Sequence, residues 1–184
     1  LGHSLGGVLT LLAAAKKPEL FQNVILLDPP LFSSHKRCLI RLLRALNLED
    51  WVSPSGKSKH RRDHFDSKSQ AKSFFQANKL FKNFHPQVLN DYVTHGLTNG
   101  KNDMELTISV AKELAVFHKM ITSFPKDVYK VKCTLVYAAK NPILWRSDLR
   151  WLSKKFTKLK VIPFPGSHLF PLENPESTAL MIKR

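Results

Sequence analysis

The stretch whose reading decides the fold is Leu1-Gly2-His3-Ser4-Leu5-Gly6-Gly7. Gly2, Ser4 and Gly6 fit the pattern G-x-S-x-G, in which a serine occupies a sharp, strained turn between a strand and a helix. Small flanking residues let two backbone segments approach closely there. Such a turn holds the hydroxyl out at the carboxyl edge of a parallel sheet and aims the N–H of the next residue, Leu5, at a developing oxyanion. Val8 to Lys17 is rich in Ala and Leu with no internal Gly or Pro, so it reads as helix. The strand that feeds the turn is expected to lie outside the chain. On its own the pattern is a weak signal, equally compatible with a flexible terminal turn.

Outward from this turn the chain alternates. Asn23-Val24-Ile25-Leu26-Leu27-Asp28 is a continuous apolar run closed by Asp28-Pro29-Pro30, as expected of a parallel strand buried on both faces. Between Leu31 and Pro125 the pattern becomes helical and basic. His35 to Asn47 reads as a basic amphipathic helix whose apolar face packs on the sheet with its arginines in solvent, Ser53 to Ser58 as loop, and Ser69 to Leu80 and Pro86 to His95 as helices. Asp103 is expected to open a longer helix reaching about Ile121. The alternation then resumes with a strand at Cys133–Ala138, a helix at Asp148–Lys158 and a short strand at Lys160–Phe164, where Pro163 favours an edge position. Asn174 and Pro175 start a final helix. This order predicts an α/β fold: a core at 1–32 and 126–184 and a helical cap at 33–125.

The last strand runs into Gly166-Ser167-His168-Leu169-Phe170-Pro171. A histidine just past a strand's carboxyl end is where a general base for Ser4 has to be, and serine precedes histidine in the hydrolase order. With these pieces in place, the chain resembles the carboxyl-terminal part of a cap-bearing α/β-hydrolase of the lipase- or esterase-like branch. The resemblance rests on the opening turn, the Asp28-Pro29-Pro30 exit, the Gly166-Ser167-His168 loop and Glu173-Asn174-Pro175-Glu176. Within the cap it rests on Arg61-Arg62-Asp63 through Ala71, Phe75, Pro86 and Tyr92 to Gly96-Leu97. It implies a partial α/β-hydrolase fold lacking its amino-terminal part. It also implies a serine hydrolase of carboxylic esters or thioesters acting through an acyl-enzyme, since relatives with other chemistry carry Asp where this chain has Ser4.

The resemblance also implies an acid partner for His168. The family's usual place for it falls in Ala138-Ala139-Lys140-Asn141-Pro142, where Asn141 stands instead of an aspartate. An amide can orient the ring but cannot stabilise its positive charge. Asp28 is the preferred replacement, although an Asp before Pro-Pro often serves the turn itself. Asn141 as orienter and Asp148, near a helix start, stay open. Phe74, Phe75, Phe81 and Phe84 are expected to shape an apolar acyl pocket under the cap. His3 is expected to pack under the turn without a catalytic role.

The whole chain has 184 residues, 43% of them hydrophobic, and a net charge of +15, enough for a real core and a strongly basic surface. Lys57, Lys59, Arg61, Arg62, Lys68 and Lys72 crowd one stretch. Asp63 and Asp66 interrupt it without interleaved stacking aromatics, so a solvated cap loop is the expectation and nucleic acid is not a partner. The expected partners are a small-molecule acyl ester or lipid and a weak contact with an anionic membrane surface. No residue spacing implies a metal or other cofactor. Cys38 and Cys133 are far apart and read as free thiols, which suits a cytoplasmic setting. A second reading, a degenerate, non-catalytic binder of an anionic or lipid partner on the same fold, follows from Asn141 and the charge. As a piece of a longer hydrolase, the chain by itself is expected to be unstable and inactive.

Overall fold

A computed structural model of the chain describes residues 1–46, 48, 55–140 and 142–183, with backbone only for Ser55 and Lys57. In chain order the elements are β1 (Gly2–His3), α1 (Leu5–Lys16), β2 (Ile25–Leu27), α2 (Ser34–Ala45), α3 (Ser55–Ser58), β3 (His64–Phe65), α4 (Lys68–Ala77) and α5 (Pro86–His95). There follow β4 (Leu97–Asn99), β5 (Met104–Leu106), α6 (Val110–His118), β6 (Cys133–Ala138), α7 (Arg146–Lys155), β7 (Leu159–Phe164), α8 (Phe170–Glu173) and α9 (Pro175–Ile182). The chain divides into two compact units, 1–39 with 122–184, and 40–121.

The first unit is built on a parallel sheet in the order β1-β2-β6-β7. Gly2 and His3 pair with Leu26 and Leu27, so a two-residue strand feeds the serine turn within the chain. The expectation that this strand is absent is corrected to that extent; two residues are too short to show a period. Leu26, Leu135, Val136 and Ala138 are wholly buried, as expected for the inner strands of a sheet covered on both faces. Pro163 lies on β7, the strand at one end of this order, where a missing N–H disturbs no ladder. One face is filled by Leu27, Val136, Phe164 and Phe170 with Met181 and Ile182 of α9. On β6, Cys133 is a buried free thiol, its pKa pushed up to about 12 by desolvation, while Cys38 is free and exposed. Asn174 opens α9 with Pro175 behind it, yet makes no side-chain cap bond.

The second unit is less helical than expected. Its core of Phe65, Ala71, Phe75, Phe81, Leu89, Val93, Leu97 and Leu106 is closed by a small antiparallel sheet, β3-β5-β4. The expected long helix from Asp103 is replaced by β5 and then α6, which Ser109 caps by accepting from the Lys112 N–H. The cause is the turn at 100–103, where the Gly100 N–H donates to the Asp103 carbonyl at 2.8 Å and folds β5 back on β4. Asn47, Ser53 and Pro54, expected at a helix end and in a loop, lie outside the described residues.

The basic stretch is used locally. Arg61 pairs with Glu113 at 3.0 Å and donates to the Ile108 carbonyl. Arg62 donates to the His64 carbonyl and Gln70, and lies over the Phe65 and Phe74 rings. Lys68 and Lys72 donate to the Thr94 carbonyl and Asn90. Helix α2 reverses the expected orientation. Leu39 and Leu42, and Leu46 just past its end, are exposed, while Lys36 and Arg37 in the first unit and Arg44 in the second turn inward to partners.

Candidate active site

Ser4 sits between β1 and α1 with φ 53° and ψ −124°, outside the regions L-residues ordinarily occupy. Its N–H is held by the Leu27 carbonyl at 2.9 Å, and its carbonyl accepts from Gly7 and Val8. A serine at this helix position ordinarily caps the helix with its side chain; Ser4 makes no such bond, which leaves the hydroxyl for other work. The turn needs glycine at Gly2, where a Cβ would collide with the Gly6 carbonyl, and tightly at Gly7, where it would lie 3.0 Å from the Gly2 carbonyl and the Pro29 side chain. Gly6 faces open space, so the close approach expected there falls at Gly7. Leu5 begins α1, so its N–H belongs to the first turn of a helix and has no intrahelical acceptor.

The parallel order puts the exits of β1, β2 and β6 side by side at one sheet edge, and the loop after β7 folds back over them. The Lys140 N–H donates to the Gly166 carbonyl at 2.9 Å, drawing that loop across the end of β6. His168 thereby meets both remaining groups. Its Nε2 lies 3.0 Å from Ser4 Oγ and its Nδ1 2.8 Å from Asp28 Oδ2. A carboxylate only accepts, so Nδ1 carries the proton and Nε2 accepts from the serine hydroxyl. Asp28 is wholly buried at the exit of β2 with φ 42°, and its Oδ1 accepts from the Ala138 N–H at 3.2 Å. Its carboxylate faces β6 and His168. Such an arrangement can remove the serine proton and stabilise the imidazolium that results.

Solved structures share this architecture. A peroxisomal alpha-beta-hydrolase, Lpx1 of Saccharomyces cerevisiae, aligns with TM-score 0.73 and 21% identity over 98% of this chain and 50% of its own. Similar values hold for an E-2-(acetamidomethylene)succinate hydrolase, with TM-score 0.70 and 19% identity over 99% of this chain and 63% of that one. An esterase of Mycobacterium tuberculosis gives TM-score 0.67 and 18% identity over 99% and 60%. This chain has a partial α/β-hydrolase fold. It spans half to under two thirds of the length of these hydrolase structures. The Esterase family model matches residues 1–85. A search of curated protein sequences returns no match.

Within the hydrolase fold the other candidates go elsewhere. Asp148 is wholly buried at the start of α7 and accepts from the Ser33 and Trp145 N–H groups, each at 3.0 Å, and from Lys36 Nζ at 2.5 Å. Burial raises its pKa, but these donors outweigh that and hold it below the ordinary carboxylate value. It ties two segments of the first unit and is not beside His168. Asn141 lies outside the described residues. Phe75 and Phe81 are buried in the second unit's core, and Phe74 and Phe84 pack against it half-buried. Sequence reasoning gave no role to Ser167 and Glu173, which bond each other within the histidine loop, or to His3. His3 and Ser167 were signalled by adjacency to Ser4 and His168, and Glu173 only as the start of the segment Glu173-Asn174-Pro175-Glu176.

Proposed function

We propose that this chain carries the reactive centre of a serine hydrolase cleaving carboxylic ester or thioester bonds. The observation that carries the reading is the hydrogen-bonded series from Ser4 through His168 to Asp28. As His168 Nε2 takes the hydroxyl proton, Ser4 Oγ bonds to the acyl carbon, and Asp28 stabilises the imidazolium. The Leu5 N–H bonds the oxyanion of the tetrahedral intermediate. The intermediate collapses to an acyl-enzyme as His168 returns the proton to the leaving alcohol or thiol. A water molecule, deprotonated by the same nitrogen, then releases the acid and restores Ser4. The esterase family match and the hydrolase structures support this reading.

The second unit is the proposed cap. Phe74 and Phe84 keep part of their rings accessible and are the two of the four phenylalanines that could offer surface to an acyl chain; Phe75 and Phe81 serve the core. The exposed leucines of α2 in a strongly basic chain favour a weak contact with an anionic lipid surface. The free thiols Cys38 and Cys133 favour a cytoplasmic setting.

A fluorophosphonate probe tests the reading. In the full-length protein it should label Ser4, and Ser4→Ala should abolish both labelling and ester turnover. A well-folded protein that resists the probe would sink it. The non-catalytic alternative rests on an amide in the acid's place and on the net charge of +15. Asp28 against His168 weighs against the first of these, and strong hydrolysis of short acyl esters lost in His168→Ala would dispose of the alternative.

A further inference from the structure

His3 precedes Ser4 on β1, and its side chain reaches the other half of the site. Its Nε2 lies 2.8 Å from the main-chain carbonyl oxygen of His168. A carbonyl only accepts, so Nε2 carries the proton and His3 is the donor. The two imidazole rings lie with centroids 4.9 Å apart and planes inclined by 33°. Burial lowers the His3 pKa, against the smaller raising effects of that hydrogen bond and of Asp28, while His168 lowers it further. His3 is therefore neutral at pH 7. It donates without setting a second positive charge against the ring that must become cationic during turnover.

Several further hydrogen bonds are internal to the histidine loop. The Ser167 N–H and hydroxyl donate to the Glu173 carboxylate at 3.2 and 2.5 Å, and the Leu169 N–H donates to Ser167 Oγ at 3.1 Å. These shape the loop internally, and the bond from Lys140 refers it to the end of β6. The His3 bond refers the backbone of the base to the strand that carries the nucleophile. One end of that short strand thus holds Ser4 and anchors the residue that must accept its proton.

We propose that His3 is a positioning residue: by donating to the His168 carbonyl it sets the spacing between the base and Ser4 Oγ, and so acts on the chemical step and not on substrate binding. This rests on the serine-hydrolase reading above.

The test uses His3→Phe, which keeps a ring and removes the donor, and His3→Gln, whose amide N–H lies the same number of bonds from Cβ as Nε2. His3→Asn, one carbon shorter, cannot reach the carbonyl and serves as a small polar control should the phenylalanine variant fail to fold. In the full-length protein, His3→Phe and His3→Asn should lower kcat for a short acyl ester, and the rate of fluorophosphonate labelling of Ser4, by about tenfold to a hundredfold at unchanged KM, with His3→Gln restored to within about threefold of wild type. Folded His3→Phe or His3→Asn labelled as fast as wild type would overturn the proposal while leaving the hydrolase reading intact. So would His3→Gln as slow as the donor-less variants. An unlabelled wild type would remove the hydrolase reading, and this proposal with it.

Discussion

Two residues of this chain other than glycine hold a positive φ among those described, Ser4 at 53° and Asp28 at 42°. Each such conformation costs about 1–3 kcal/mol and persists only where the surroundings over-determine it. At Ser4 the Leu27 carbonyl and the first turn of α1 do so; at Asp28 the Val136 carbonyl holds the N–H at 2.7 Å and Ala138 holds the carboxylate. Strain falls at both strand exits that His168 bridges, which is where a pre-organised site would place it. The acid can therefore be tested at one residue. Asp28→Asn keeps the shape but cannot stabilise the imidazolium, so kcat should fall about ten-thousand-fold, as for the same change in a serine protease triad, with little change in KM. Asn141→Ala should leave kcat within about tenfold of wild type, since an orienter that never carries the compensating charge acts on geometry alone. The reverse ranking of the two variants in steady-state assays would return the role to position 141.

At the scale of elements, the serine and histidine were legible because each borders a readable element: Ser4 precedes a ten-residue Ala/Leu-rich run, and His168 follows a strand. The choice between Asp28 and Asn141 was not, because it depends on sheet order. Only the sequence β1-β2-β6-β7 puts the β2 exit within reach of His168. Strands β1 and β3 to β5, of two or three residues, carry no usable period, whereas the equally short β2 lies inside the longer apolar run Asn23–Asp28. Helix α2 was misread because its cations find inward partners that composition cannot show: Lys36 meets Asp148, and Arg37 lies between the Phe124 and Trp151 rings. Asp148 is the centre of that arrangement. Asp148→Ala would strand the buried N–H group of Ser33, release that of Trp145 and unpair Lys36, destabilising the first unit by about 2–4 kcal/mol, less than a fully buried pair because Lys36 keeps some solvent. Chemical denaturation should show this loss, while labelling of Ser4 per folded molecule stays unchanged. A selective loss of labelling with normal stability would instead make Asp148 part of the reactive centre.

At the scale of the molecule, the two units carry histidines whose pKa values move in opposite directions. In the first, burial depresses His3, so between the lowered value and about pH 6.5 the unfolded chain binds the extra proton. The contribution of His3 to stability is therefore whole above about pH 6.5 and is lost as pH falls through the lowered value. In the second unit, His64 on β3 pairs with Asp103 at 2.8 Å, and that bond, with Asp63 and Glu105 nearby, raises its pKa. Its contribution is whole below about pH 6.5 and is lost as pH rises through the raised value. His64 is exposed, so solvent screens the effect. Acidification from about pH 7.5 to 5.5 thus loosens the unit that holds Ser4, Asp28 and His168 and leaves the other as stable or slightly firmer. Scanning calorimetry should show the transition of the first unit falling by about 4 °C or less and that of the second holding or rising. His3→Gln, which cannot titrate, should flatten the first response. A wild-type first unit that melts later on acidification would contradict the assignment. So would a fall undiminished in His3→Gln, since the acid sensitivity would then have its origin outside the residue that precedes the nucleophile.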